Sequence, residues 1–203
     1  MVRAFIVLEG IDGSGTTTHS QLLLKFLVEK GLNVYLTQEP SSSIIGDLLK
    51  KILLDENIPP ETDALLFAAD RLIHYKNEIV KKLEDGYIVI SDRYLESSIV
   101  YQSSQTDEIS IDWIENINKF VGMPDITIIL DLHPEVSLKR KLSHLKSIGK
   151  NKEKFENQDF LVKARSRFLE RAKEKGYKII NSENSIESVQ KEIQNYIKSQ
   201  LKL

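Results

Sequence analysis

The sequence predicts an α/β fold, a parallel β-sheet covered by helices on both faces. Three observations carry the prediction. Short aliphatic and β-branched runs alternate with longer amphipathic segments, the alternation that βαβ units produce. A glycine-rich turn follows the first such run and opens the first amphipathic segment. A later buried run ends on an acid, in VISDRY, and open parallel sheets bind their ligands at the carboxyl ends of their strands.

In chain order, AFIVLE (4–9) reads as a buried strand. TTHSQLLLKFLVEKG follows as a helix with Leu23, Phe26 and Leu27 on one face and Gly31 as its stop. NVYLTQE (33–39) is a second strand, IGDLLKKILL a helix, and NIPPE breaks it. Glu61 to Glu84 forms a long helix ended by EDG, and YIVISD (87–92) a third strand. A helix holds Trp113 to Phe120, DITIILDL (125–132) is a fourth strand and YKIIN (177–181) a fifth. The tail from Ser185 to Leu201 has helical spacing at Ile186, Val189, Ile193 and Tyr196. Residues 139–154 form a basic stretch with Glu153 as its one acid and no clear apolar stripe. It reads as a mobile basic flap, about 139–156, on one domain spanning 1–203.

The chain has 203 residues, enough for one domain with a proper core. Its 28 basic and 30 acidic side chains leave a net charge of −2, which speaks against a general nucleic-acid binder. It has no cysteine, so disulfides, thiolate metal sites and cysteine nucleophiles are excluded. No apolar run is long enough for a membrane span. The expectation is a soluble, cytoplasmic protein with neither nucleic acid nor membrane as partner.

The turn is EGIDGSGTTTHSQ (9–21). It matches the phosphate-binding pattern G-x-x-x-x-G-K-[ST] at every fixed position but one. Gly10 and Gly15 are correctly spaced, Ile11, Asp12, Gly13 and Ser14 lie between them, and Thr17 fills the hydroxyl slot. The lysine slot holds Thr16. Glycines turn backbone N–H groups toward phosphate oxygens, and the helix N-terminus adds about half a positive charge. Thr17 is a candidate Mg²⁺ ligand, and so is Asp92 at the end of the VISD run. Arg93 offers a fork that fits phosphoryl oxygens. The plainer readings are a ligand-free turn and a surface Asp–Arg pair.

Taken together these residues resemble the thymidylate kinases (dTMP kinases) of the nucleoside monophosphate kinase group. FIVLEGIDGSG-TT resembles that family's opening, TQEPSSSIIGDLL its second-strand loop and LLFAADR its long-helix motif. DRYLESSIVYQ, KFENQDF and IINSENSIESV resemble its Asp–Arg segment, lid end and adenine loop. The resemblance implies a three-layer P-loop NTPase fold with a five-stranded parallel sheet in the order 2-3-1-4-5. It implies transfer of the ATP γ-phosphoryl group to dTMP with Mg²⁺, and a homodimer.

It also implies roles. Asp12 is the loop acid near the transferring phosphate, and Glu39 and Pro40 lie below the acceptor. Phe67 stacks on thymine, and Arg71 holds the base or the acceptor phosphate. Ser98 hydrogen-bonds the base, and Tyr101 crowds the sugar 2′ position. Asn181 belongs to the adenine loop. Phe67 also reads as core packing, and Ser98 and Tyr101 as parts of an ordinary amphipathic helix. Gln38 and Ser41 stand where relatives carry arginine, which leaves acceptor-phosphate binding open. Gly13 stands where one subgroup carries a catalytic arginine, which points to the subgroup that uses lid cations. Arg140 is then the first candidate to replace the missing lysine, beside Lys146, Lys150 and Lys154.

Such a reaction needs alignment and charge neutralisation and no general base, because the acceptor is already anionic. His19, His74, His133 and His144 therefore read as surface or packing residues. Alternatives are a kinase for another nucleotide such as dUMP, for a deoxynucleoside, or a nucleotide-binding protein that has lost catalysis.

Overall fold

The computed structural model describes residues 2–53, 57–148 and 157–203, with backbone alone for 144–148. Five strands form one parallel sheet: β1 (Ala4–Glu9), β2 (Val34–Gln38), β3 (Ile88–Asp92), β4 (Ile126–Asp131) and β5 (Lys178–Asn181). Their order is β2-β3-β1-β4-β5, as the resemblance implies.

The helices are α1 (Thr16–Glu29), α2 (Ile44–Ile52), α3 (Pro60–His74), α4 (Val80–Glu84), α5 (Leu95–Gln105), α6 (Ile111–Ile117), α7 (Pro134–Ile148), α8 (Gln158–Lys175) and α9 (Ile186–Leu201). A π-helical turn, Tyr75–Ile79, joins α3 to α4. The expected long helix is therefore one rod with a wide turn inside it.

The pleat explains why β1 is apolar throughout. It lies between β3 and β4 and is buried along its whole length. Ala4, Ile6 and Leu8 face one apolar cluster, with Leu23 and Leu27 of α1 and Val189, Ile193 and Ile197 of α9. Phe5 and Val7 point the other way, onto Ile79, Leu95, Ile99 and Ile114. A neighbouring cluster joins Ile129 of β4 to Val100 and Tyr101 of α5 and to Leu161, Ala164 and Phe168 of α8. The result is helices, sheet, helices: three layers with apolar side chains between each pair.

Register then sets the site. Leu8 pairs with Asp92, and Asp92 with Gln38. The loops leaving β1, β2 and β3 therefore emerge side by side. Backbone bonds cross between them, from Glu39 N to Asp92 O (3.1 Å) and from Arg93 N to Leu8 O (3.0 Å).

Several sequence expectations need correction. α6 stops at Ile117, and Phe120 lies beyond it, 63% exposed. The helical spacing of the tail is borne out by α9, whose buried face runs through Val189, Ile193 and Ile197 while Ile186 is exposed. Residues 139–148 of the basic stretch are the second half of α7. That part of the stretch is thus helical, a continuation of α7 whose narrow buried face its run of lysines conceals. The side chain of Lys146, and Lys150 and Lys154 entirely, lie outside the described residues.

Candidate active site

The turn after β1 wraps tightly. Gly10 has φ +154°, and a Cβ there would lie 2.6 Å from both Leu130 O and Ser14 Oγ, so only glycine fits. Ser14 N donates to Ile11 O (3.1 Å). Gly15, in the left-handed region, caps α1. Thr16 is buried in the first turn of α1 and Thr17 follows it.

Thr17 Oγ1 donates to Asp92 Oδ2. The other carboxylate oxygen, Asp92 Oδ1, is buried with no hydrogen-bond partner. A buried, half-partnered carboxylate beside a hydroxyl fits a hard divalent cation, which takes oxygen ligands. Among the described residues, no group of three or more His, Asp or Glu side chains forms a metal cage by itself. A cation here would therefore complete its shell with phosphate and water oxygens, as Mg²⁺ does.

Asp12 is the most crowded acid of the site. Its Oδ1 accepts from Arg93 Nη2 (2.7 Å) and Tyr101 OH (3.0 Å), and its Oδ2 from Lys141 Nζ (2.6 Å). Ser137 Oγ donates to its backbone carbonyl (2.6 Å). Burial by itself would raise the carboxyl, but the Arg93 and Lys141 charges outweigh it and hold it below the ordinary range.

Arg93 also donates from Nη1 to Gly10 O (2.8 Å) and Ser97 Oγ (3.1 Å). Its backbone sits at φ +70°, a strained conformation for a non-glycine residue. The bonds from its N–H to Leu8 O and from Ser91 Oγ to its carbonyl hold it there. Tyr101 is buried, with its ring 5.7 Å from Phe160 and 6.4 Å from Phe168.

Beside β2, Glu39 accepts from Arg71 Nε (2.8 Å) and meets His74 Nδ1 (3.1 Å). Arg71 is buried and makes three further bonds, to Asn118 Oδ1 (2.8 Å), Tyr94 O (3.1 Å) and Ser98 Oγ (2.8 Å). Four of its five N–H groups thus have protein acceptors. One turn before it on α3, Phe67 is part-exposed and belongs to none of the three apolar clusters. Asp70 receives Ser41 N (2.7 Å), Ser41 Oγ (2.5 Å) and Ser43 Oγ (2.6 Å), which fixes the loop that follows Pro40. A cleft of about 320 Å³ opens between α1 and β2, lined by Thr17, Gln38, Asp92 and Lys50 among others.

On the other flank, Arg140 donates to Gly13 O (3.3 Å) and Ser182 O (3.0 Å). It thereby ties the turn to the loop after β5. Asn181 ends β5, its Oδ1 accepting from Glu183 N (2.9 Å). His19 is buried under the turn, and Nδ1 meets Gln190 Oε1 (2.9 Å). Burial lowers its pKa, against the Gln190 bond that would raise it. His19 and His74 are buried, while His133 is exposed.

Sequence reasoning gathers Asp12, Thr17, Asp92, Arg93 and Tyr101 into one site, and the structure brings them together. It misses Lys141, hidden in a run of like residues, and Asp70, which has no motif of its own. It also misses Glu9. That carboxylate is fully buried and accepts from Tyr94 N (2.8 Å), Ser97 N (3.2 Å) and Ser97 Oγ (2.5 Å), so it anchors the start of α5. Burial pushes its pKa up to about 7, despite the bonds from Ser97. An acid directly before the first glycine was its only sequence signal.

The sequence model of the thymidylate kinase family matches residues 8–193. The chain is 44% identical over 196 residues to a probable thymidylate kinase of Pyrobaculum aerophilum, covering 96% of each chain. It is 44% identical over 199 residues to one of Methanococcus aeolicus, covering 95% of this chain and 94% of that one. With one of Pyrococcus horikoshii the identity is 39% over 204 residues, covering 97% of each.

Proposed function

Because the chain belongs to the thymidylate kinase family, we propose that it transfers the γ-phosphoryl group of ATP to dTMP, giving dTDP and ADP. One observation supports this most. The glycine turn, the Thr17–Asp92 pair and the Asp12–Arg93 pair converge at the carboxyl ends of β1 and β3.

In this reading the backbone N–H groups of Gly10 to Thr17 cradle the ATP phosphates at the N-terminus of α1. Asn181 lies beside the adenine, with Arg140 fixing its loop to the turn. Thr17 and Asp92 hold Mg²⁺. When bound, Mg²⁺ neutralises charge on the phosphate oxygens. Arg93, immobilised by Gly10, Ser97 and Asp12, places a second positive charge beside the transferring group. Phe67 stacks on the thymine, Ser98 and Arg71 border the base, Tyr101 crowds the sugar 2′ position, and Glu39 and Pro40 form the floor. The acceptor phosphate carries its own negative charge, so these residues orient and neutralise, and none need remove a proton.

A homodimer and a cytoplasmic location belong to the same reading. No described helix is long and apolar enough to cross a membrane. The test is direct: purified protein, Mg-ATP and a panel of nucleoside monophosphates, with products separated by chromatography. Formation of dTDP, with dTMP preferred over dUMP, is expected. ATP binding without any diphosphate product would replace this reading with a non-catalytic nucleotide binder. Sedimentation gives the oligomeric state.

A further inference from the structure

We propose that Lys141 supplies the positive charge that Thr16 cannot: its ammonium, held on Asp12 in this structure, moves onto the phosphoryl oxygens of bound ATP during transfer. The inference rests on phosphoryl transfer from ATP at this turn.

The lysine slot of the turn holds a buried, uncharged Thr16. Two arginines lie near, each held rigidly by several bonds to the chain. Arg93 is fixed by Gly10 O, Ser97 and Asp12. Arg140 bridges Gly13 O and Ser182 O on the outer side of the turn.

Lys141 differs in place and in chemistry. Its Nζ lies 2.6 Å from Asp12 Oδ2, although the two residues are 129 apart in sequence. Its side chain is only 14% exposed, so the charge lies inside the site. A lysine has a compact ammonium on a flexible four-carbon stem, so it can swing while its backbone stays put. Asp12 stays anchored when it leaves, because Oδ1 keeps Arg93 and Tyr101.

The docking of α7 explains how the lysine gets there. Ser137 Oγ binds the Asp12 carbonyl at 2.6 Å. Gly13 lets the helix sit this close: a Cβ there would lie 3.1 Å from Ser137 O and 3.5 Å from Arg140 Cβ. Any side chain at position 13 would crowd Ser137 and hold a backbone conformation that only glycine adopts freely. Glycine at 13, threonine at 16 and lysine at 141 are thus one arrangement, in which a helix of the body delivers the cation.

In the transfer an acceptor oxygen attacks the γ-phosphorus. The bond to the β–γ bridging oxygen breaks, and its electron pair leaves with ADP. Lys141 stays protonated throughout and offsets the negative charge. A full charge about 4 Å from these oxygens is worth on the order of a hundred- to a thousand-fold in rate.

The experiment compares Lys141→Met, which keeps the stem, with the parent and with a Thr16→Lys/Lys141→Met double variant. Lys141→Met is expected to lower kcat at least about 30-fold, and adding Thr16→Lys to recover at least about tenfold of that. A kcat within threefold of the parent overturns the proposal, and so does a loss that Thr16→Lys does not relieve, since Lys141 would then only brace Asp12. A calorimetric comparison of ATP and ADP binding, without acceptor, reads the same contact even if the parent makes no dTDP. Loss of the preference for ATP supports the proposal, and an unchanged preference overturns it. Should Lys141→Met unfold the protein, Lys141→Gln, which can still donate to Asp12, carries both measurements.

Discussion

Thr17 and Asp92 face each other from α1 and β3, the hydroxyl donating to one carboxylate oxygen while the other is buried with no hydrogen-bond partner. Such an oxygen is costly unless a ligand satisfies it. Asp92→Asn should therefore fold normally and lose at least about 100-fold in kcat, the scale of removing one electrostatic element. Steady-state kinetics over a Mg²⁺ titration checks it. Near-parental kcat with unchanged Mg²⁺ dependence would remove Asp92 from the metal site.

Phe67 sits one turn before Arg71, part-exposed and outside the apolar clusters. Phe67→Leu should raise KM for dTMP several-fold, leave KM for ATP alone and cost less than about 1 kcal/mol of stability. A large fall in Tm with normal dTMP affinity would make it a packing residue instead.

Tyr101 has two functions to separate. Its ring packs near Phe160 and Phe168, and its hydroxyl holds Asp12. Truncation to alanine would cost about 3–5 kcal/mol of packing and confuse any kinetic result. Tyr101→Phe keeps the ring, so it should preserve the preference for deoxyribose over ribose acceptors while lowering kcat several-fold through a looser Asp12. Loss of sugar discrimination in this variant would shift that role from ring to hydroxyl.

Arg71 and Glu39 are buried partners. Removing one partner leaves the other charge uncompensated. Arg71→Ala should lower stability by about 3–5 kcal/mol, a fall in Tm on the order of 10 °C. Calorimetry measures it, and a Tm within 2 °C of the parent would show that the buried Arg71–Glu39 pair contributes little to stability.

Glu9 ties stability to pH. Its pKa rises from 4.5 to about 7 on folding, so the folded state holds its proton more tightly. That stabilisation is complete below pH 4.5 and is lost as pH rises through about 7. Glu9→Gln keeps an acceptor for the Tyr94 and Ser97 N–H groups and removes the titration. The fall of Tm between about pH 5 and 8 should therefore be shallower in Glu9→Gln than in the parent. Parallel Tm profiles would assign the slope to other groups.

The sequence by itself determined the strands, the glycine turn and the Thr17–Asp92 pair. These signals are local: a pleat of period two, a turn that only glycine can make, and an acid at the end of a buried run. The long helix was legible for the same reason, though its π turn was not. The resemblance to a family extended this to strand order. Tertiary structure alone decided that Lys141 would sit on Asp12, that Glu39 would be shared by Arg71 and His74, and that Glu9 would be buried beneath α5. Each of these is a meeting between elements far apart in the chain, set by register and by the close docking of α7 on Gly13. A lysine in a run of lysines carries no mark of which one a helix will press into a site, because burial and partner are properties of the packed fold.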